Sequence, residues 1–160
     1  MLVGRTLLFT LAYPGSVCVL LPYGLLRLLD RGAAPTWDAA GWAGAALIAI
    51  GTAVYVWCAW DFGARGRGTP APYDPPRELV IAGLYRFSRN PMYVGIVGVL
   101  LGESVVFRSV ALAVYAAIVA IGFHLRVVLY EEPTLRRLFG ERFERYKAAT
   151  PRWLGRARRR

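Results

Sequence analysis

The chain has 160 residues, of which 56% are apolar, and its mean hydropathy is +0.40. Soluble domains average about 45 to 50% apolar residues, so the composition favours a membrane protein, and the length holds about four or five membrane helices with no room for a separate soluble catalytic domain. The net charge of +10 is concentrated in residues 61–90 and 131–160, a pattern typical of cytoplasmic loops, and we do not expect nucleic-acid binding.

Four apolar runs predict the fold. The first is longer than the apolar core of a signal peptide and lacks a small-residue cleavage site, so we interpret it as a retained span. We therefore predict an all-α, polytopic membrane protein with one domain, 1–160, and about four transmembrane helices. Residues 1–60 would hold two spans and residues 91–130 a helical hairpin. The runs cover residues 2–29, 39–60, 91–107 and 109–130.

The arginines predict the orientation. Residues 61–90 hold five arginines, and residues 131–160 hold nine arginines and one lysine against four glutamates. Because basic residues accumulate in cytoplasmic segments, we place both segments and both termini in the cytoplasm. The arginine-rich, lysine-poor usage indicates a bacterial cytoplasmic membrane, and the oligomeric state stays open.

Glycines within the runs suggest helix packing. Gly98 and Gly102 have the spacing that lets two membrane helices approach closely. The second run has glycines along its length and tryptophans near its ends, which is typical of an anchored scaffold helix. We expect packing roles for these residues.

The linker 61–90 is rich in glycine and proline, which exclude a continuous helix. It also contains the apolar stretch "LVIAGLY", so we expect the linker to cover a bound cofactor, with a passive connection as the alternative. In the basic tail 131–160, apolar residues recur at spacings of three and four and predict an amphipathic C-terminal helix that Gly140 weakens in its middle. These residues are Leu135, Leu138, Phe139, Phe143 and Tyr146.

Two polar motifs occur where apolar runs meet the cytoplasm. "YRFSRNPMY" opens the third run and "YEEP" closes the fourth, so a hairpin makes them neighbours. Each motif alone could be an interfacial anchor. Adjacent carboxylates are costly to hold at a bilayer surface unless a cationic or hydroxyl-rich ligand is bound, and the arginines of the first motif could bind a carboxylate or phosphate. The combination suits a zwitterionic nucleoside ligand.

Two further residues of the fourth run are candidates for catalysis. His124 lies seven residues before Glu131, which in a regular α-helix is nearly the same face. A histidine within a membrane span is a functional candidate, although a hydrogen bond to a neighbouring helix explains it equally well. Arg126 could extend to the membrane edge or hold an anionic substrate head.

The two motifs resemble those of the isoprenylcysteine carboxyl methyltransferase family, which includes phospholipid methyltransferases. "LVIAGLYRFSRNPMYVG" is similar to the segment LV-x-x-G-x-Y…R-H-P-x-Y of that family. "EEPTLRRLFGERFERYKAATPRW" is similar to the family's C-terminal pattern E-E…L…F-G…Y…Y…P. The resemblance covers roughly residues 68–153. It implies an integral membrane enzyme that transfers a methyl group from S-adenosylmethionine to a lipophilic acceptor.

The resemblance also implies roles for individual residues. Together with the residue chemistry, it assigns catalysis to Arg126, His124 and Glu132. Glu132 would orient the cofactor-binding Glu131. The predicted cofactor-binding residues are Arg77, Glu78, Leu79, Val80, Tyr85, Arg89, Asn90, Pro91, Met92, Tyr93 and Glu131.

The chain departs from the family at two positions. Asn90 stands where the family usually has a histidine. In carboxyl methyltransferases an arginine four residues before the cofactor glutamate meets the substrate, and that position is Val127 here, with Arg126 one step away. The acceptor could therefore carry a carboxylate or an amine.

The chemistry needs few residue types. Methyl transfer from a sulfonium requires alignment of donor and acceptor and exclusion of water, so neither a metal nor a nucleophilic residue is expected. A carboxylate acceptor needs no base, whereas an amine must lose a proton, for which His124 or a glutamate is a candidate. The alternatives are a membrane reductase of related architecture that uses NADPH and a non-enzymatic scaffold or lipid-binding protein.

Overall fold

The structure is a computed structural model that describes residues 14–65 and 78–155. Within these ranges the protein is all-helical, with five helices and no strand, in agreement with the predicted fold class. The first apolar run and the linker are thus described in part, and Arg77 lies outside the described residues. A single 3-10 turn, Gly83–Arg86, precedes α3. The helices are α1 Ser16–Leu28, α2 Ala39–Arg65, α3 Pro91–Val106, α4 Val110–Phe139 and α5 Glu141–Ala149.

Among the described residues, two helices are long and apolar enough to cross a membrane, namely α4 and the Ala39–Asp61 part of α2. The apolar α1 and α3 are shorter. The 16 residues of α3 extend over about 24 Å at 1.5 Å per residue, against about 30 Å of hydrocarbon. Ile50, Ile118 and Ile121 are each more than 60% exposed, which suits contact with lipid. The predicted count of four spans stays a prediction.

Glycines set the distance between α2 and α3. A Cβ atom on Gly95 would lie 2.7 Å from the carbonyl oxygen of Gly51, and one on Gly44 would lie 2.8 Å from that of Gly102. No larger side chain fits at such contacts, as in other closely packed membrane helices. The tight positions are seven residues apart on each helix. The sequence suggested a close contact at Gly98 as well, but a Cβ atom there would lie 3.8 Å from its nearest neighbours.

The glycine pairs also show that α2 and α3 are antiparallel. Gly44, the earlier glycine of α2, contacts Gly102, the later glycine of α3, and Gly51 contacts Gly95. α3 and α4 form the predicted hairpin, in which Ser109 caps α4 by accepting a hydrogen bond of 3.0 Å from the Leu112 N–H. The core between them contains Ile96 and Phe123. The end of α2, the start of α3 and the later half of α4 consequently lie at one end of the bundle.

The opposite end is held by polar contacts between the loops. Arg108 pairs with Asp38, whose side chain also accepts a hydrogen bond of 2.9 Å from the Gly41 N–H at the start of α2. Thr36 donates from its backbone N–H and its hydroxyl to the carbonyl of Val106 at 2.8 and 2.9 Å. The ion pair gives Arg108 a specific partner at this end of the bundle.

α4 is continuous from the apolar run into the amphipathic segment, but its geometry changes on the way. A π-helical turn, Val127–Glu131, separates two α-helical parts. Pro133, two residues after the π turn, cannot donate the usual backbone hydrogen bond. The helix ends at Gly140, whose φ is +50°, and α5 begins at the next residue. The predicted amphipathic helix is therefore divided at the glycine that was expected to weaken it.

Candidate functional site

A first polar cluster joins the start of α3 to the π turn of α4. The hydroxyl of Tyr93 donates a hydrogen bond to one carboxylate oxygen of Glu131. Arg126 Nε donates to the same oxygen at 2.9 Å and to the Tyr93 hydroxyl at 3.3 Å. The ring of Tyr93 stacks on Phe123 with the ring centroids 4.3 Å apart, which fixes its position. Glu131 is thus held by two donors from two helices.

The π turn explains why Arg126 reaches Glu131. In a regular α-helix, neighbours on one face are three or four residues apart, whereas these residues are five apart. A π turn closes i to i+5 hydrogen bonds, so it brings residues at this spacing onto one side. The expectation that His124 shares a face with Glu131 assumed a regular helix. In the structure, Arg126 contacts Glu131 instead.

A second cluster surrounds Glu132. Arg152 binds its carboxylate with two hydrogen bonds, Nε to Oε1 at 2.6 Å and Nη2 to Oε2 at 2.9 Å. Arg89 Nη1 donates to Oε1 at 2.9 Å, and the side chains of Arg89 and Glu132 are 9% and 13% exposed. The bidentate geometry is the strong form of this interaction. Two guanidinium groups on one carboxylate leave an excess of positive charge in the cluster.

The residues after α5 complete this cluster, and we call residues 150–153 the closing segment. The Arg89 backbone N–H donates to the carbonyl of Pro151 at 2.9 Å. Asn90 Nδ2 donates to the carbonyl of Arg152 at 3.0 Å, and the Ser88 hydroxyl donates to the same oxygen at 3.4 Å. The closing segment therefore lies alongside the "SRN" stretch, residues 88–90, and holds it against α4.

Asn90 was predicted to contact the cofactor, which stays a prediction, and its side-chain amide donates to the closing segment. The family histidine at this position also carries a ring N–H donor. An asparagine can therefore keep the hydrogen bond while losing the titratable group. The Asn90 side chain thus serves as a donor within the protein.

α5 makes a further connection. The Tyr146 hydroxyl donates to the carbonyl of Tyr85 at 2.6 Å. Burial raises the pKa of Tyr146 above its usual value, so the hydroxyl stays protonated and remains a donor at neutral pH. Phe143 of α5 is 2% exposed. The amphipathic helix thus supports the 3-10 turn before α3.

His124 contacts the closing segment. Trp153 Nε1 donates to His124 Nδ1 at 3.2 Å, and the two rings lie 6.1 Å apart. An indole N–H can only donate, so Nδ1 acts as the acceptor and the proton of the neutral ring is on Nε2. The alternative noted from the sequence was a hydrogen bond to a neighbouring helix, whereas the observed partner lies in the closing segment.

Some of the remaining predicted residues are buried, whereas Leu79 and Glu78 are more accessible. Val80 and Tyr85 are 7% and 8% exposed and pack with Cys58 of α2, with Met92 against them. Pro91 is buried at the start of α3. Leu79 is half-buried and Glu78 is exposed. The structure thus brings an apolar wall next to the two ionic clusters.

Sequence reasoning missed the roles of Arg152 and Trp153. Both lie in a tail whose many arginines are typical of a cytoplasmic surface, so Arg152 could not be distinguished by its pattern. A signal was present at Trp153, because a large aromatic residue after an amphipathic helix often packs on the protein. The contact partners themselves depend on tertiary structure.

Comparison with known proteins gives one match. The family model described as "Phospholipid methyltransferase" matches residues 39–142. Neither the curated proteins nor the solved structures contain a match to the chain. The matched region extends from α2 to the start of α5 and includes both glutamates of the site. Arg152 and Trp153 lie beyond it.

Proposed function

Since the chain belongs to the phospholipid methyltransferase family, we propose that it transfers a methyl group from S-adenosylmethionine to a lipophilic acceptor at the membrane. Membership implies a methyltransferase with lipid-related substrates. One observation carries the finer proposal. The two adjacent glutamates, at the end where three helices meet, are each held by donors from other elements. Interfacial anchors facing solvent would not need such a network.

The residue types around the glutamates fit S-adenosylmethionine. The cofactor combines cationic sulfonium and ammonium groups, a carboxylate, ribose hydroxyls and a flat base. Glu131 offers carboxylate oxygens, Arg89 offers a guanidinium, and the apolar wall at Val80 and Tyr85 could accept the base. The residues proposed to hold it are Arg77, Glu78, Leu79, Val80, Tyr85, Arg89, Asn90, Pro91, Met92, Tyr93 and Glu131. Asn90 would act through the closing segment.

Bound S-adenosylmethionine supplies a methyl group that is already activated on a sulfonium. The protein has to align the acceptor and exclude water. The Tyr93–Arg126–Glu131 cluster provides a fixed wall for this, because each side chain is restrained by the other two. The Arg126 guanidinium would hold an anionic head on the acceptor. We propose that positioning is the main contribution of these residues.

The hydrogen bonds also favour one acceptor chemistry. Each candidate base already accepts hydrogen bonds. His124 Nδ1 accepts from Trp153, Glu131 accepts from Tyr93 and Arg126, and Glu132 accepts from two arginines. These hydrogen bonds occupy acceptor lone pairs that would otherwise take a proton from a substrate amine. An acceptor that is ionised at neutral pH, such as a carboxylate, needs no base. We therefore propose O-methylation of an anionic lipophilic acid.

The membrane arrangement belongs to the same proposal. We propose four spans, with the termini, the linker and the site on the cytoplasmic side. The two long apolar helices support membrane insertion, and the basic residues of the tail support the orientation. The acceptor would reach the site from the bilayer.

A binding experiment tests the cofactor. Calorimetric titration of the detergent-solubilised protein with S-adenosylmethionine, S-adenosylhomocysteine and NADPH should show binding of the two adenosyl compounds only. Glu131→Ala should abolish this binding, whereas the matched variant Glu141→Ala, on the exposed face of α5, should bind as the wild type does. Folded protein that binds only NADPH, or none of the three, contradicts the proposal.

A product experiment tests the acceptor. Membranes are incubated with the protein and labelled S-adenosylmethionine, and the labelled lipid is treated with alkali. A methyl ester releases its label as volatile methanol, whereas an N-methyl amine retains it. Release supports the carboxylate acceptor, and retention would overturn it in favour of an amine.

A further inference from the structure

Asp61 is a buried carboxylate near the end of α2, the helix for which the sequence suggested only a scaffold role. Its residue is 4% exposed, although the preceding Trp60 is 75% exposed. A carboxylate is costly to bury unless it is hydrogen-bonded. Trp57, one turn earlier, donates from Nε1 to Asp61 Oδ2 at 3.0 Å. The helix thus fixes the carboxylate in one orientation.

The same oxygen lies against the backbone of Gly83. A Cβ atom on Gly83 would be 2.0 Å from Asp61 Oδ2 and 3.4 Å from Trp57 Nε1, so only glycine fits under this carboxylate. Gly83 also has a φ of +60°, which residues with a side chain rarely adopt. The position therefore requires glycine for two independent reasons, and one of them is Asp61.

Gly83 begins the 3-10 turn that leads into the site. The turn contains Tyr85, which packs on Cys58 and Val80 and accepts the hydrogen bond from α5. Three residues after the turn ends, the chain reaches Arg89, whose side chain and backbone join α4 and the closing segment. A shift of the turn would therefore displace this part of the site.

We propose that Asp61 is a positioning residue that holds the Gly83–Arg86 turn and, through it, the Arg89 and Asn90 wall of the site. The carboxylate, oriented by Trp57, supports the turn from the side of α2. This role rests on the proposed function for its effect on ligand binding. The structural part of the proposal can be tested without any ligand.

Hydrogen exchange of the detergent-solubilised protein tests the structural part. Asp61→Ala should accelerate exchange in peptides covering Gly83–Asn90 by about tenfold or more, while peptides from the middle of α3 and α4 keep their protection. Asp61→Asn keeps the shape and one acceptor oxygen, so it should stay close to the wild type. Asp38→Ala, at the other end of the same helix, is the matched control and should leave this segment unchanged. Equal protection in Asp61→Ala and the wild type overturns the proposal.

A double variant tests the contact itself. Gly83→Ala should lower the melting temperature in the wild-type background and lower it less in the Asp61→Ala background, because the closest atom has been removed. Equal decreases in both backgrounds overturn the contact as the reason for the glycine. The strain from the positive φ is common to both backgrounds and cancels in the comparison.

Ligand binding tests the functional part. Asp61→Ala should weaken S-adenosylhomocysteine binding by about tenfold, the loss expected for one hydrogen bond, and Asp61→Asn, which keeps an acceptor oxygen, should restore most of it. Unchanged affinity in Asp61→Ala overturns the role in the site. If the wild-type protein binds no adenosyl compound, the proposed function fails, and the exchange experiment still decides whether Asp61 holds the turn.

Discussion

At the scale of single residues, the site depends on which hydrogen-bonding atoms are already in use. Asn90 and His124 both looked like ligand-facing groups in the sequence, and in the structure each has a partner in the closing segment. A side chain with a fixed partner orients its surroundings, whereas a side chain that bonds a ligand changes its partner during binding. The two roles give different results on substitution.

Asn90→Ala should weaken S-adenosylhomocysteine binding because it removes the donor to the Arg152 carbonyl. A hydrogen bond of this kind is worth about 1 kcal/mol, so we expect about a fivefold increase in the dissociation constant by calorimetry. Asn90→His, which restores the family residue and a ring N–H, should bind within about twofold of the wild type. The interpretation is wrong if the alanine variant binds normally or if histidine is as damaging as alanine.

His124→Gln should retain most of the activity. Glutamine keeps an acceptor for the Trp153 indole but cannot serve as a base near neutral pH. Loss of a general base typically costs about 100- to 10,000-fold in rate, whereas we expect a decrease of less than about tenfold in kcat. The measurement is methyl transfer to membrane lipid with labelled cofactor. A loss in the range of a missing base would assign His124 to proton transfer.

At the scale of elements, the distance between α2 and α3 is set by glycines rather than by the apolar pattern. Gly51 and Gly95 lie backbone to backbone, so the interface has no space for added atoms. Because this contact also places the end of α2 beside the 3-10 turn, a change in the helix pair should reach the site.

Gly95→Ala should destabilise the protein by about 1 to 3 kcal/mol, the usual cost of overpacking a tight contact. Its new Cβ would be 2.7 Å from the Gly51 carbonyl oxygen. Gly98→Ala on the same helix is the matched control. Its new Cβ would lie 3.8 Å from the nearest atoms, and alanine has a higher helix propensity than glycine. Thermal unfolding in detergent should show a loss for the first variant and none for the second. Equal melting temperatures would mean that the helices can separate at little cost.

At the scale of the whole molecule, the site is assembled from parts that are distant in the chain. α2 supports the turn, α3 and α4 carry the ionic clusters, and the closing segment joins them through Arg152. The Glu132 carboxylate, by its hydrogen bonds, holds the pKa of Arg152 above its usual value, so this link stays charged over the physiological range.

Truncation after residue 149 should abolish S-adenosylhomocysteine binding, since it removes both hydrogen bonds from Arg152 to Glu132 and the carbonyl acceptors of the closing segment. The helices should remain, because the close glycine contacts between α2 and α3 do not use these residues. Truncation after residue 155 is the matched control and should bind normally. Calorimetry measures binding and circular dichroism measures helix content. Binding by the shorter protein would show that the closing segment is dispensable.

The sequence predicted the helical fold, the α3–α4 hairpin and the proximity of the two polar motifs, because apolar length and charge order are local properties of the chain. It also predicted that Tyr93, Arg89 and the glutamates belong together. The sequence could not predict the partner of each glutamate, since Arg126 approaches Glu131 only through a change in helix geometry. The roles of Arg152 and Asp61 depend on contacts between distant segments, which periodicity does not encode.

The π turn of α4 affects the comparison of related sequences with this chain. It accommodates one residue more than an α-helical turn would, so it is equivalent to a single-residue insertion within Val127–Glu131. When related sequences are aligned on Glu131 without a gap, the substrate arginine of the carboxyl methyltransferases falls opposite Val127. In that alignment this chain has no arginine at the position. A gap placed inside the turn pairs that arginine with Arg126, whose Nε is 2.9 Å from Glu131. Under that alignment, the Arg126 guanidinium would stand in the place of the family arginine, which remains a prediction.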